Sequence, residues 1–207
     1  MHSDAFMYVP HCQFVAGSWH SHNFIRTGRI HVPVHATLGN SIDEVTIDYT
    51  KPWQRKHIRS IEMTYGKFRY FQDYWYKIKP FIENKAPNLA VLNMRLMETL
   101  LDLLGCSTPV HISSFVSGDS IDKLVAICKS VNCDTYLSNE GARAYIHEAE
   151  EARMAHAGIT HRWFRFRDPD YGQPRTVNDG RLSVLDALFT LGPAARGTIL
   201  NAGGVAQ

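Results

Sequence analysis

Cysteine is scarce in this chain, and charge of either sign is nearly balanced. Four cysteines in 207 residues, at positions 12, 106, 128 and 133, form no C-x-x-C pair. With no secretory signal at the N-terminus, the expected compartment is the reduced cytoplasm. No run of about 18 apolar residues exists, so no membrane-spanning helix is expected. A formal net charge of +2 gives no reason to expect a nucleic-acid partner. The one basic and aromatic stretch, HRWFRFR (161–167), alternates as a strand with one wet face does. G-x-S-x-G, P-loop and G-x-G-x-x-G motifs are all missing. So are internal repeats and low-complexity tracts.

What is present is a soluble globular composition, 44% hydrophobic and 20% charged, in a chain long enough for one sizeable core. The expectation is a single α/β domain over residues 1–200 with a frayed tail at 201–207. DAFMYV, NFIRTGRIHVPVH with a turn at Thr27-Gly28, and SIDEVTIDYT predict an N-terminal antiparallel β portion. A helical middle follows. Thr50 is the expected cap of KPWQRKHIRSIEMTYG, where Trp53, His57, Ile61 and Tyr65 recur at i, i+4 and share a face. Pro80 is read as a break in the aromatic stretch after it, and leucines at helical spacing run to a stop at Gly105. In the second half PVHISSFV, CDTYL and ITHRWFRF read as strands. SIDKLVAICKSVN and a long EGARAYIHEAEEARMAHAG helix separate them, which predicts β-α-β units and a largely parallel sheet.

In parallel sheets ligands bind beyond the carboxyl ends of the strands. YLSNEGAR (136–143) stands at such an end, a strand running through a turn into a helix start whose backbone N–H groups suit an anion. Ser183 and Asp186, three apart at the start of LSVLDALF, read as a capping box with Asp in the acidic position.

The histidines do not assemble a metal site. His31 and His35 share a strand face but stand about 13 Å apart by strand rise, too far for one ion, and no metal or other cofactor is expected. Cys128 and Cys133 lie in apolar patterns typical of inert core thiols. Cys12 adjoins His11, but neighbours on a strand point to opposite faces. Outside simple periodicity remain Gln13, Trp19, Asn23, His57, Tyr65, the run Tyr136 to Arg143, Tyr171, Gln173, Ser183 and Asp186. Within that set His57 is the natural general base and Arg143 the natural anion clamp.

In order and spacing this set resembles the WbqC-like family found in gene clusters for bacterial O-antigen and other surface polysaccharides. DAFMYV, HCQF and WHSHN stand where the family has D-x-F-V, D-x-V-Q-F and W-x-x-R-N. IHVPV matches a strand ending in P-V, and Trp53, Lys56, His57 and Tyr65 match W-x-x-K-H with its downstream Tyr. YLSNEGARAY matches Y-L-S-G-x-G-A-R-x-Y, YGQ matches Y-x-Q, and LSVLDALF matches L-S-V-I-D-x-L-F. Pro10-His11, His22 and Asn139 depart from the family's Asp pair, Arg and Gly. The family's upstream H-Q-P-x-Y-x-P segment is also missing ahead of Asp4, which raises the expectation of a truncated gene, a misassigned start or a divergent member with lost or altered activity.

The resemblance implies an acyl or aminoacyl (glycine-type) transferase acting on an amino sugar or sugar nucleotide in surface-glycan biosynthesis. It implies His57, Tyr65 and Asp186 as candidate catalytic residues. Candidate substrate-binding residues are Gln13, Trp19, Asn23, Trp53, Lys56, Tyr136, Ser138, Gly141, Arg143, Tyr145, Tyr171 and Gln173. The implied partners are a small-molecule sugar nucleotide and an activated acyl or aminoacyl donor. Two other readings stay open at this point: a non-catalytic remnant that binds a sugar nucleotide, and a nucleotide-dependent ligase or nucleotidyltransferase-like enzyme.

Overall fold

The computed structural model describes residues 2–114, 118–173 and 182–206. In chain order they form β1 (Phe6–Tyr8), β2 (His22–Ile25), β3 (Gly28–His31), β4 (Val34–His35), β5 (Thr46–Ile47), α1 (Trp53–Tyr65), α2 (Phe71–Glu83) and α3 (Leu89–Leu103). Then follow β6 (Val110–Ile112), α4 (Ser120–Ser130), β7 (Thr135–Asn139), α5 (Glu148–His156), β8 (Thr160–Phe166), α6 (Val184–Leu191), α7 (Ala195–Asn201) and β9 (Gly203–Val205). The fold is mixed α/β, with small sheets that include parallel pairs. It divides into two compact units, one of Met1–Val9, Thr108–Pro169 and Thr198–Gln207, the other of Pro10–Ser107 and Asp170–Gly197.

The Pro10–Ser107 and Asp170–Gly197 unit is built on helices. Its α1 buries Trp53, His57, Ile61 and Tyr65, the stripe that i, i+4 spacing predicts. In α2 the buried face is Phe71, Trp75, Ile78 and Ile82, and the helix runs through Pro80 to Glu83. Pro80 was expected to break it. Only three residues follow the proline, so it forfeits little of the helical ladder while Ile78 and Ile82 keep their burial. Asn88 caps α3 by accepting a hydrogen bond from the Val91 N–H at 2.9 Å. Phe189 of α6, fully buried, sits with its ring 5.2 Å from Tyr65 and 5.0 Å from Phe71. Burial of such a side chain contributes about 1.5–3 kcal/mol. α6 ends at Gly192 with φ +58°, and a Cβ there would stand 2.6 Å from the Tyr70 ring, so only glycine fits.

The β structure of this unit is two small antiparallel pairs, β2 with β3 and β4 with β5. SIDEVTIDYT opens with a 3-10 turn at Ile42–Glu44 and narrows to the two-residue β5, shorter than its alternation predicts. Thr50 does not cap α1. Its Oγ1–H donates to Asp48 Oδ1 instead, and Pro52 occupies the cap position.

The other unit places β1 parallel to β6, with Phe6 opposite Val110, and β7 parallel to β8, with Ser138 opposite Trp163. β1 was expected among antiparallel N-terminal strands, and β6 beside the other strands of the second half. Their partners are each other, because pairing is decided by contacts that span about a hundred residues and leave no local trace. Of the expected PVHISSFV strand, Phe115 and Val116 lie outside the described residues. The tail expected to fray supplies β9, antiparallel to β8. Gly203 makes this possible, since a Cβ there would fall 2.4 Å from the Phe164 ring. The long helix expected from Glu140 is divided into a 3-10 turn, Glu140–Ala144, and α5. Ala142 and Ile146 both join Ile121, Cys128, Met154 and Ile159 in the core. The His147 N–H then donates to Glu150 Oε2 at 3.0 Å, restarting the helix.

Candidate functional site

Two groups of polar side chains stand out, one in each unit. In the helical unit Asp186 is fully buried. Arg26 donates to it twice, from Nε to Oδ2 at 2.5 Å and from Nη2 to Oδ1 at 3.0 Å. The Tyr65 hydroxyl donates to Oδ2 at 3.0 Å and the Tyr171 hydroxyl to Oδ1 at 2.8 Å. Both carboxylate oxygens are thus held by charge-assisted hydrogen bonds. Burial and the neighbouring carboxylate push both tyrosine hydroxyls above their ordinary range, so they remain protonated donors. The hydrogen bond to Asp186 raises Arg26 as well, and its guanidinium lies 4.7 Å over the Phe68 ring. Asp186 therefore does not serve as the acidic member of a capping box. Ser183 alone caps α6, accepting from the Leu185 N–H at 3.4 Å. Gln173 joins the group through Tyr171, whose N–H donates to Gln173 Oε1 at 2.8 Å.

His57 lies on the buried face of α1, and its Nε2–H donates to the His31 carbonyl at 3.0 Å. A carbonyl can only accept, so Nε2 carries the proton and Nδ1 alone is left to take another. Burial pushes the imidazole down to about 4. The folded state keeps His57 neutral, while the unfolded chain binds its proton near the ordinary pH of about 6.5. Stability is therefore predicted to fall as pH drops from about 6.5 toward 4, by on the order of 3 kcal/mol over that window. Urea denaturation at pH 7 and pH 5 measures this, and a His57→Gln variant should show a flatter acid limb. An identical slope in the two proteins would remove His57 as the cause.

The remaining expected residues of this unit are spread over its surface and core. Trp19 is exposed and stacks on His22 at 5.0 Å. Asn23 is exposed and accepts from the neighbouring Phe24 N–H at 2.8 Å. Gln13 forms an isolated bridge with Ser41. Lys56 is exposed, whereas Trp53 is buried and packs edge-on against His57 at 5.1 Å.

The second group lies on β7, β8 and α5. Because β7 and β8 run in parallel with Tyr136 opposite His161 and Ser138 opposite Trp163, all four side chains share one face. His161 Nδ1 is 2.8 Å from Glu151 Oε1, and His161 Nε2 is 2.7 Å from Ser138 Oγ. In the neutral imidazole, Glu151 as acceptor places the proton on Nδ1, which leaves Nε2 to accept from the Ser138 hydroxyl. Ser138 is 4% exposed, and the His161 side chain 2%. Tyr136 stacks on the imidazole at 5.9 Å, and Trp163 packs edge-on against it at 4.5 Å. The exposed Arg143 guanidinium covers the Trp163 ring at 4.1 Å. Gly141 is on the same turn, its N–H donating to Asn139 Oδ1 at 2.9 Å, and Tyr145 is exposed beyond it.

Tyr136, Ser138 and Arg143 are thus linked through the His161 and Trp163 rings. His161, Glu151 and Trp163 here, and Arg26 in the other unit, are contact partners that sequence reasoning did not single out. The alternation of THRWFRF already placed His161 and Trp163 on one face, but not what that face meets. Among the described residues no group of three or more His, Cys, Asp or Glu side chains is placed to hold a metal. No helix among them is long and apolar enough to cross a membrane.

No solved structure matches the chain. It is 27% identical over 202 residues to an uncharacterized protein of Mycobacterium tuberculosis, Rv1507c, covering 93% of this chain and 86% of that one. The WbqC-like protein family matches residues 1–198. The chain belongs to the WbqC-like protein family.

Proposed function

We propose that the protein transfers an acyl or aminoacyl group to the amine of an amino sugar or sugar nucleotide during surface-glycan assembly. Acylating an amine needs a base of defined tautomer, because the attacking nitrogen must shed a proton. The observation that carries the reading is His161, held at Nδ1 by Glu151 and facing Ser138 through Nε2. Two of its supports, Tyr136 and Arg143, come from YLSNEGAR, the segment that resembles the family's Y-L-S-G-x-G-A-R with Asn139 in place of the first Gly. Arg143, exposed and stacked on Trp163, supplies a cation suited to the phosphates of a nucleotide-linked sugar. Tyr136 and Trp163 offer aromatic surface beside the base. In this reading Arg26, Tyr65, Tyr171 and Asp186 fix the α1–α6 core, and His57 anchors α1 to the end of β3.

Thermal-shift titration with nucleotide-linked amino sugars tests the binding half of the proposal. A ligand at a hundred times Kd stabilises the fold by about 2.7 kcal/mol. Arg143→Ala removes a charge-assisted phosphate contact and is expected to weaken binding about tenfold or more. Equal titration curves for the two proteins would remove Arg143 from the site.

A further inference from the structure

We infer that Ser138 is a nucleophile, carrying the acyl group as an ester on its Oγ between donor and acceptor. The inference rests on the acyl-transfer reading and adds a covalent step to it. The order of contacts is what carries it. The hydroxyl meets Nε2 at 2.7 Å and the carboxylate meets Nδ1 at 2.8 Å, the arrangement in which an imidazole accepts a hydroxyl proton while its developing charge is stabilised from behind. The two partners of His161 are also drawn from other parts of the chain, 10 and 23 positions away. Ser18 and His20 show the ordinary case, a contact at Nδ1 between residues two apart, at 2.9 Å. Ser138, Glu151 and His161 come instead from three separate elements.

The buried Cys128 does not compete for the role. Burial, with Cys133 nearby, pushes the Cys128 thiol up to about 11, which keeps it protonated at neutral pH.

In the first half-reaction Ser138 Oγ attacks the acyl carbon of an activated donor, and its proton passes to His161 Nε2. The bond to the leaving group breaks, and the leaving group departs with that proton. In the second half the acceptor amine attacks the ester carbon and gives a proton to Nε2. The C–Oγ bond breaks, and Oγ takes the proton back. Nothing is oxidised or reduced, and the net change is transfer of one acyl group from donor to amine.

The test treats the full chain with a small alkyl fluorophosphonate, a head group suited to a serine that is only 4% exposed, followed by intact mass and peptide mapping. One adduct, mapped to Ser138, is expected on the wild type. It should be absent from His161→Ala and form at least about tenfold more slowly in Glu151→Gln. The Glu151 side chain is 41% exposed, so this last variant keeps its fold if the buried ones do not. No adduct at Ser138 on folded wild type, or labelling indifferent to Glu151→Gln, would overturn the inference. Labelling at Ser138 without acylation of any amine would keep the nucleophile and remove the amino-sugar acceptor. Amine acylation that survives Ser138→Ala would keep the acceptor and remove the nucleophile.

Discussion

Asp186→Ala is expected to lower the stability of the protein by about 3–5 kcal/mol, measured as a shift of the urea midpoint at constant slope. The magnitude follows from what the carboxylate leaves behind. Arg26 would lose both of its hydrogen bonds to the carboxylate, keeping among the described residues the 3.2 Å hydrogen bond from Nη2 to Thr190 and its contact with the Phe68 ring. The Tyr65 hydroxyl, inside a residue with no exposed surface, would lose the acceptor of its proton, and an unmet buried donor costs about 1–3 kcal/mol. Removing one member of such a pair is costly even where the pair as a whole contributes little, because the Arg26 charge, its side chain 22% exposed, stays partly desolvated. Asp186→Asn keeps the shape and one carbonyl acceptor, so its loss should be smaller. A change below about 1 kcal/mol for Asp186→Ala would mean that Arg26 and the tyrosines find water once the carboxylate is gone.

The same residue shows where sequence reading stops. Ser183 and Asp186 have the spacing of a capping box, and Ser183 does cap α6. The Asp186 side chain turns instead to Arg26, because an ion pair with two tyrosine donors outweighs one backbone N–H. Arg26 sits in the turn between β2 and β3, where an arginine reads as a solvated residue. Only a contact across 160 positions reveals its role. The stripe on α1 was legible because helical periodicity is local, and the mixed α/β character because strand and helix patterns alternate through the second half. Strand partners were not legible, so neither was the meeting of His161 with Ser138, which depends on the β7–β8 register.

The split of the Glu140–Gly158 segment has a related cause. Alanine and glutamate content favours a helix throughout, but Ala142 and Ile146 both enter the core with Met154. The 3-10 turn followed by a restart at His147 is the geometry in which the Asn139 cap, these burials and the Glu150 contact coexist. That turn carries Gly141 and Arg143, so the irregularity lies in the segment that bears the family's pattern.

The measurement that tests the acyl-transfer reading most directly is mass-spectrometric detection of an N-acylated amino sugar. It would use the wild type and His161→Ala, each shown to be folded, with a panel of activated acyl and aminoacyl donors and nucleotide-linked amino sugars. Loss of a positioned base costs about 10²–10⁴-fold in rate, so product is expected from the wild type and a residue at or near background from His161→Ala. Equal rates from the two proteins, or no acylated amine from the wild type with any donor and acceptor, would contradict it.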